Sequence, residues 1–130
     1  MNEKKLYEYF KKHWTSYISR VETKRDDGRP DIHLVNNKEQ DIFLELKSME
    51  KKFKEAVLPI KKSQFIWHKE YSGRNAYMLF RIEDDFFLFR KGQIFNLRGK
   101  VKWTKFKEMA IVESNDIIRI CNYLQAIGNW

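Results

Sequence analysis

The amino-acid sequence predicts an α/β fold: a central mixed β-sheet flanked by helices, in the order αβββαβ over residues 1–82. Three observations carry this. Leu6, Tyr9, Phe10 and Trp14 recur at helical spacing. Two strand-length apolar runs, Ile32 to Val35 and Ile42 to Leu46, flank an Asn36-Asn37 turn and read as a hairpin. A second helical stretch, Leu58 to Tyr71, precedes two further strand-like runs.

In chain order, the first helix can be capped by Asn2. Tyr17 to Val21 reads as the first strand and Thr23 to Pro30 as a turn-rich, charged loop. The run Asp41 to Leu46 is too apolar for an edge strand and reads as a buried central strand whose acid, Glu45, sits at its end. The second helix enters after Pro59 and stops near Gly73. Ala76 to Ile82 and Phe86 to Arg90 pair around the acidic turn Glu83-Asp84-Asp85. Gln93 to Trp103 fits no single pattern, and Asp116 to Ala126 returns to helical spacing with Ser114, Asn115 or Asp116 as cap.

The chain has 130 residues and no repeat, linker or low-complexity stretch, so 1–130 is expected to form one domain. At that length about two-thirds of the unfolded surface can be buried, so neither metal nor disulfide is needed for folding. Cys121 is the only cysteine and lies in an apolar run, which predicts an inert buried thiol and a reducing setting. Met1 is followed by charge, and no apolar stretch approaches the roughly 20 residues of a membrane span. A soluble protein of the cytoplasm is expected, nucleoid-associated or acting in a phage-infected cell. No Gly-rich phosphate loop, zinc-spaced Cys/His cluster or Ser/His/Asp elbow is present, which argues against NTPase, zinc-site and acyl-transfer readings.

The chemistry concentrates in one series: Pro30-Asp31, then Glu45-Leu46-Lys47, then Gln64. Side chains alternate along a strand, so Glu45 and Lys47 share a face while Leu46 turns to the core. A hairpin across Asn36-Asn37 brings Asp31 near Glu45. Two hard oxygen ligands that leave water positions free suit Mg²⁺, with Mn²⁺ as a substitute, and such an ion lowers the pKa of bound water. Lys47 would orient that water or clamp a phosphate oxygen. The simpler reading of Glu45 with Lys47 is a surface ion pair worth under about 1 kcal/mol. It fits poorly with so apolar a strand.

Twenty-six Lys and Arg against eighteen Asp and Glu leave a formal charge of +8, which suits a phosphate-backbone partner. The cations bracket the series in sequence: Lys24, Arg25 and Arg29 before Asp31; Lys51, Lys52 and Lys54 after Lys47; Lys61 and Lys62 before Gln64; and Arg74 beyond it. His33 lies two residues after Asp31, on the same strand face, and His68 one helical turn after Gln64, within reach of a phosphate. The many aromatic residues, Phe80, Phe86, Phe87, Phe89 and Phe95 among them, read mainly as core.

Taken together, residues 28–31, 43–47, 63–67 and 72–73 resemble the PD-(D/E)XK nuclease superfamily. The similarity is greatest to its VRR-NUC and archaeal Holliday junction resolvase branches, where a Gln opens the helix after the Glu-x-Lys strand. The likeness spans about residues 5–82. It implies a restriction-endonuclease-like core and a Mg²⁺-dependent endodeoxyribonuclease in which Asp31, Glu45 and the Leu46 backbone carbonyl bind metal. It further implies Lys47 as catalytic lysine, Gln64 supporting the metal-bound water or Lys47, and an added glutamate from the first helix. Glu8 stands nearest that place, with Glu3 and Glu22 as the other candidates. Branched DNA is the implied substrate. A homodimer is expected because two cuts in a symmetric junction need sites related by a twofold axis; Tyr77 to Leu88 and Ile117 to Ile127 would supply its interface. The competing expectations are a flap or single-strand nuclease, a sequence-preferring enzyme, and a catalytically silent nucleic-acid-binding module.

Overall fold

A computed structural model describes residues 1–20, 28–50, 55–70 and 75–128. Helix α1 (Glu3–His13) begins at Asn2, whose side-chain oxygen accepts from the Lys5 N–H at 2.9 Å. It ends in Lys11, Lys12 and His13, the charge sign favoured at a helix C-terminus. Strands β1 (Tyr17–Arg20), β2 (Ile32–Val35) and β3 (Asp41–Met49) follow, then a short β4 (Glu55–Val57) and helix α2 (Lys62–Glu70). Next come β5 (Ala76–Ile82), β6 (Asp85–Arg90), helix α3 (Lys91–Ile94), a 3₁₀ turn, β7 (Lys100–Lys102), α4 (Trp103–Met109), β8 (Val112–Ser114) and α5 (Ile117–Gln125).

Six strands form one mixed sheet in the order β1-β2-β3-β5-β6-β8. Every ladder is antiparallel except β3 with β5. That parallel step needs a crossover, and the segment carrying α2 supplies it. Alternate residues of the central strands feed two apolar layers. Leu44, Leu46, Leu79 and Leu88 join Leu6 and Phe10 of α1 and Ile120 and Leu124 of α5 on one face. Met78, Phe80 and Phe89 join Phe106 of α4 on the other. Burial on both faces explains why 76–80 and 86–89 are apolar without alternation.

Several expectations are corrected. The second helix starts at Lys62, not Leu58, because the chain first makes β4, which pairs with β7 outside the main sheet, and Pro59 disfavours helix before it. The β2–β3 connection is the five residues 36–40, closed by Asn36 N–H to Gln40 O at 3.1 Å. Asn36 also donates from Nδ2 to the carbonyls of Leu124 and Ile127, at 3.0 and 2.7 Å, tying this turn to the end of α5. Within the stretches expected to form an interface, Met78, Leu79 and Phe80 and, in α5, Ile117, Ile120 and Leu124 are fully buried within one protomer and offer no surface for a second copy, whereas Ile118 of α5 is 46% exposed. The thiol of Cys121 is buried and pushed up to about 12, chiefly by desolvation. Among the described residues no helix is long and apolar enough to cross a membrane.

Candidate active site

The ladder between β2 and β3 sets Ile32 against Leu44, so Asp31, one residue earlier, falls opposite Glu45. There β2 begins, while β3 continues to Met49 beside β5, with Glu45 against Met78 and Lys47 against Phe80. From Glu45 onward β3 therefore has, among the described residues, a partner strand on one side only. A notch opens in the sheet at the two functional side chains. Glu45 and Lys47 thus sit inside a longer strand and not at its end, and the notch is formed by the start of β2.

Three contacts fix the cluster. Gln64, the third residue of α2 and 7% exposed, donates from Nε2 to Glu45 Oε1 at 3.0 Å, while its own Oε1 accepts from the Lys61 N–H at 2.9 Å. Both ends of the amide are satisfied, so Glu45 is held in one orientation. Lys47 Nζ lies 3.8 Å from the same Glu45 oxygen, and its side chain is as buried as the carboxylate. Gly28 supplies the third: it has φ +80°, and a Cβ there would lie 1.9 Å from the Ser63 carbonyl oxygen and 2.6 Å from Gln64 N. Only glycine lets the loop before Asp31 dock on the start of α2. The sequence therefore places Asp31 and Gln64 through a residue that carries no functional group.

The electrostatics are unbalanced toward negative charge. Burial pushes the Glu45 carboxyl from 4.5 up to about 7, and the neighbouring Asp31 charge adds to the rise. Lys47 and the backbone N–H of Asp31 favour the ionised form without cancelling that rise, and Glu3 adds to it. Asp31 is about one-third exposed and accepts from Arg20 Nε at 3.3 Å. The Arg20 guanidinium also lies over the Tyr7 ring, 5.2 Å from its centroid. Sequence reasoning missed Arg20. Its signal is parity, since Arg20 falls on the same alternation as core-facing Ile18, where a charge requires a partner.

The remaining residues sort clearly. Glu8 is on the exposed face of α1, opposite Leu6 and Phe10, because two residues turn a helix about 200°. Glu3 is the α1 acid whose charge acts on Glu45. The Leu46 side chain turns into the opposite apolar layer, leaving its backbone carbonyl between the two functional residues. Arg29, Lys61 and Lys62 are exposed, and the Gly28–Ser63 contact draws their two segments together beside the notch. His68 is buried, with its ring edge-on to Trp67, and so is not placed to meet a phosphate. Glu22, Lys24, Arg25, Lys51, Lys52, Lys54 and Arg74 lie outside the described residues.

The donor set fits a hard divalent cation. Two carboxylates share a partly buried site, and their mutual repulsion, not fully offset by Lys47, is relieved by added positive charge. Among the described residues no three His, Cys, Asp or Glu side chains gather into a cage. A hard ion such as Mg²⁺ keeps several waters and takes only one or two carboxylates, which Asp31 and Glu45 can supply.

No family model and no curated protein matches the sequence. Among solved structures the chain is similar to Hjc of Archaeoglobus fulgidus, a Holliday junction resolvase from an archaeal hyperthermophile, with a TM-score of 0.57 and 14% identity, covering 93% of this chain and 96% of that one. At that identity the likeness concerns the fold. The chain has the restriction-endonuclease-like α/β fold of that resolvase, with its mixed sheet flanked by helices.

Proposed function

We propose that this protein is a Mg²⁺-dependent, structure-specific endodeoxyribonuclease that hydrolyses phosphodiester bonds in branched DNA. The observation that carries the reading is the Asp31–Glu45–Lys47–Gln64 cluster at the sheet notch, on a fold shared with a Holliday junction resolvase. Asp31, Glu45 and the Leu46 carbonyl are the residues that would hold the ion. When bound, the ion would activate water and neutralise charge on the phosphate.

The chain's own groups have separable roles. Gln64 holds the Glu45 carboxylate still, so that its second oxygen keeps a constant direction. Lys47, buried beside Glu45, presents a cation where a non-bridging phosphate oxygen or an attacking water would sit. Arg20 holds Asp31 from the exposed side. Arg29, Lys61 and Lys62 supply exposed positive charge for the backbone of the strand to be cut. Nothing in this set reads base edges, which favours recognition of shape over sequence. A homodimer would place two such notches for paired cuts.

The test is cleavage of labelled four-way, flap, single-stranded and duplex DNA, with and without Mg²⁺. Metal-dependent cutting, strongest on the four-way substrate, is expected. Cutting confined to flaps or single strands would assign the same chemistry to another substrate, discrete cutting on long duplex would assign sequence preference, and binding without cutting would make the protein a silent module.

A further inference from the structure

The half of the catalytic sheet face over β1 and β2 carries a row of rings. Trp67 of α2 is buried against Phe43 of β3, with centroids 6.3 Å apart. Phe43 stacks on His33 of β2 at 5.3 Å and 16°. His33 meets Tyr17 of β1 edge-on at 5.7 Å and 67°. Exposure rises along the row. Trp67 is 5% exposed, the His33 side chain 34% and Tyr17 56%. None of the four belongs to either apolar layer.

One ring of the row is also anchored. His33 Nε2 bonds Asp41 Oδ1 at 2.7 Å, which fixes the ring plane against Phe43. By strand parity Asp31 and His33 share a face, as do Phe43, Glu45 and Lys47. Asp31 and His33 are two residues apart, about 7 Å along the strand. The ring row therefore starts near the carboxylates and runs away from them to β1, the terminal strand of the sheet among the described residues, where Tyr17 pairs with Val35, about 13 Å along β2 from Asp31.

We infer that this face is a stacking platform for an unpaired nucleobase on the strand to be cut, displaced from the cut phosphate by the length of the ring row, with Tyr17 as the contact ring and His33 as its support. The inference rests on the nuclease reading and adds to it what part of the substrate is recognised. Both faces of a paired base are covered by its neighbours in a duplex, whereas a base splayed at a branch point or in a gap has a face to offer. The protein's net charge of +8 holds the backbone, and the rings select strands with unpaired bases. An exposed tyrosine supported by a histidine and a phenylalanine contributes little to folding, so its place at the outer end of a ring row that begins near the site is better explained by a ligand.

The experiment uses the full chain with Ca²⁺ in place of Mg²⁺ and DNA carrying 2-aminopurine at single unpaired positions, one at a time, over the few nucleotides on either side of the cleaved phosphate. Wild-type protein is expected to change the fluorescence of the probe at one position and leave a paired probe unaffected. Tyr17→Ala is expected to weaken binding of the unpaired substrate about tenfold more than binding of blunt duplex, in line with the stacking contribution of one base. Tyr17→Phe, which keeps the ring, is expected to restore both signals, and His33→Phe to retain them. Equal weakening on both substrates by Tyr17→Ala overturns the platform, as does a Tyr17→Phe variant no better than Tyr17→Ala. Wild-type protein that cuts DNA with Mg²⁺ yet leaves every probe unchanged overturns the platform alone; wild-type protein that binds no DNA overturns the nuclease reading with it.

Discussion

Replacing Glu45 with Gln should make the metal-free protein more stable, and only at alkaline pH. In the folded chain burial and Asp31 raise the Glu45 carboxyl from 4.5 to about 7. An acid whose folded pKa exceeds its unfolded one stabilises the fold while protonated; that contribution is complete below about 4.5 and is lost as pH rises through about 7. At 1.36 kcal/mol per tenfold change in proton affinity, the full loss is about 3 kcal/mol. Between about pH 5 and pH 8.5 the wild type should lose about 2.5 kcal/mol from this one group. The Gln64 Nε2 donor can still be accepted by the amide oxygen of Glu45→Gln, although the amide nitrogen then meets the Asp31 N–H, a pH-independent cost of about 1 kcal/mol. Urea denaturation of both proteins in EDTA, at the two pH values, separates these effects. The expected result is that the variant gains about 2–3 kcal/mol on the wild type between the low and the high pH. A stability difference that is the same at both would refute a buried, uncompensated carboxyl at the notch.

Gly28→Ala should lower stability by at least about 2 kcal/mol, because the residue adopts φ +80° and its new Cβ would collide with the Ser63 carbonyl; thermal melting checks this, and an unchanged midpoint would contradict the contact. Glu3→Gln should reduce cleavage more than Glu8→Gln, because Glu3 acts on Glu45 while Glu8 faces solvent; the reverse order would exclude the assignment of the α1 acid. Replacing Arg29, Lys61 and Lys62 together with Ala should flatten the dependence of log affinity on log salt by about 2–3, close to one counterion per lost phosphate contact. An unchanged slope would make them a solvated surface.

What was legible in the sequence was local. The period of 6–14, the cap at Asn2, the two runs around Asn36-Asn37 and the alternation of Glu45 with Lys47 all depend on neighbours within a few residues, and all are found in the fold. The pairing of Asp31 with Glu45 also follows from a hairpin, the least distant of tertiary contacts. Longer-range features were hidden. Strand β4 is three residues long and exists because β7, more than 40 residues later, pairs with it. Glu8 and Glu3 are both acidic positions in one helix, and only the packing of Leu6 and Phe10 shows that Glu8 turns away from the sheet. The apolar run 76–80 reads equally as core or interface from its composition, and the position of β5 at the centre of the sheet decides for core. Arg20 and Gly28 carry weaker traces, a charge on a core-facing parity and a glycine before a proline, that gain meaning once their partners are known.

The central claim is that Asp31 and Glu45 act together, as a metal site, on a bound phosphodiester. Single-turnover cleavage of a labelled four-way junction by wild type and by Asp31→Asn, at saturating protein and in Mg²⁺, with affinity measured in parallel, tests it most directly. The expected result is a loss of at least about a hundredfold in rate with affinity nearly unchanged, since the substitution removes charge from the site and leaves Arg29, Lys61 and Lys62 in place. Cleavage by Asp31→Asn near the wild-type rate, or wild-type cleavage that persists in EDTA, would contradict the account.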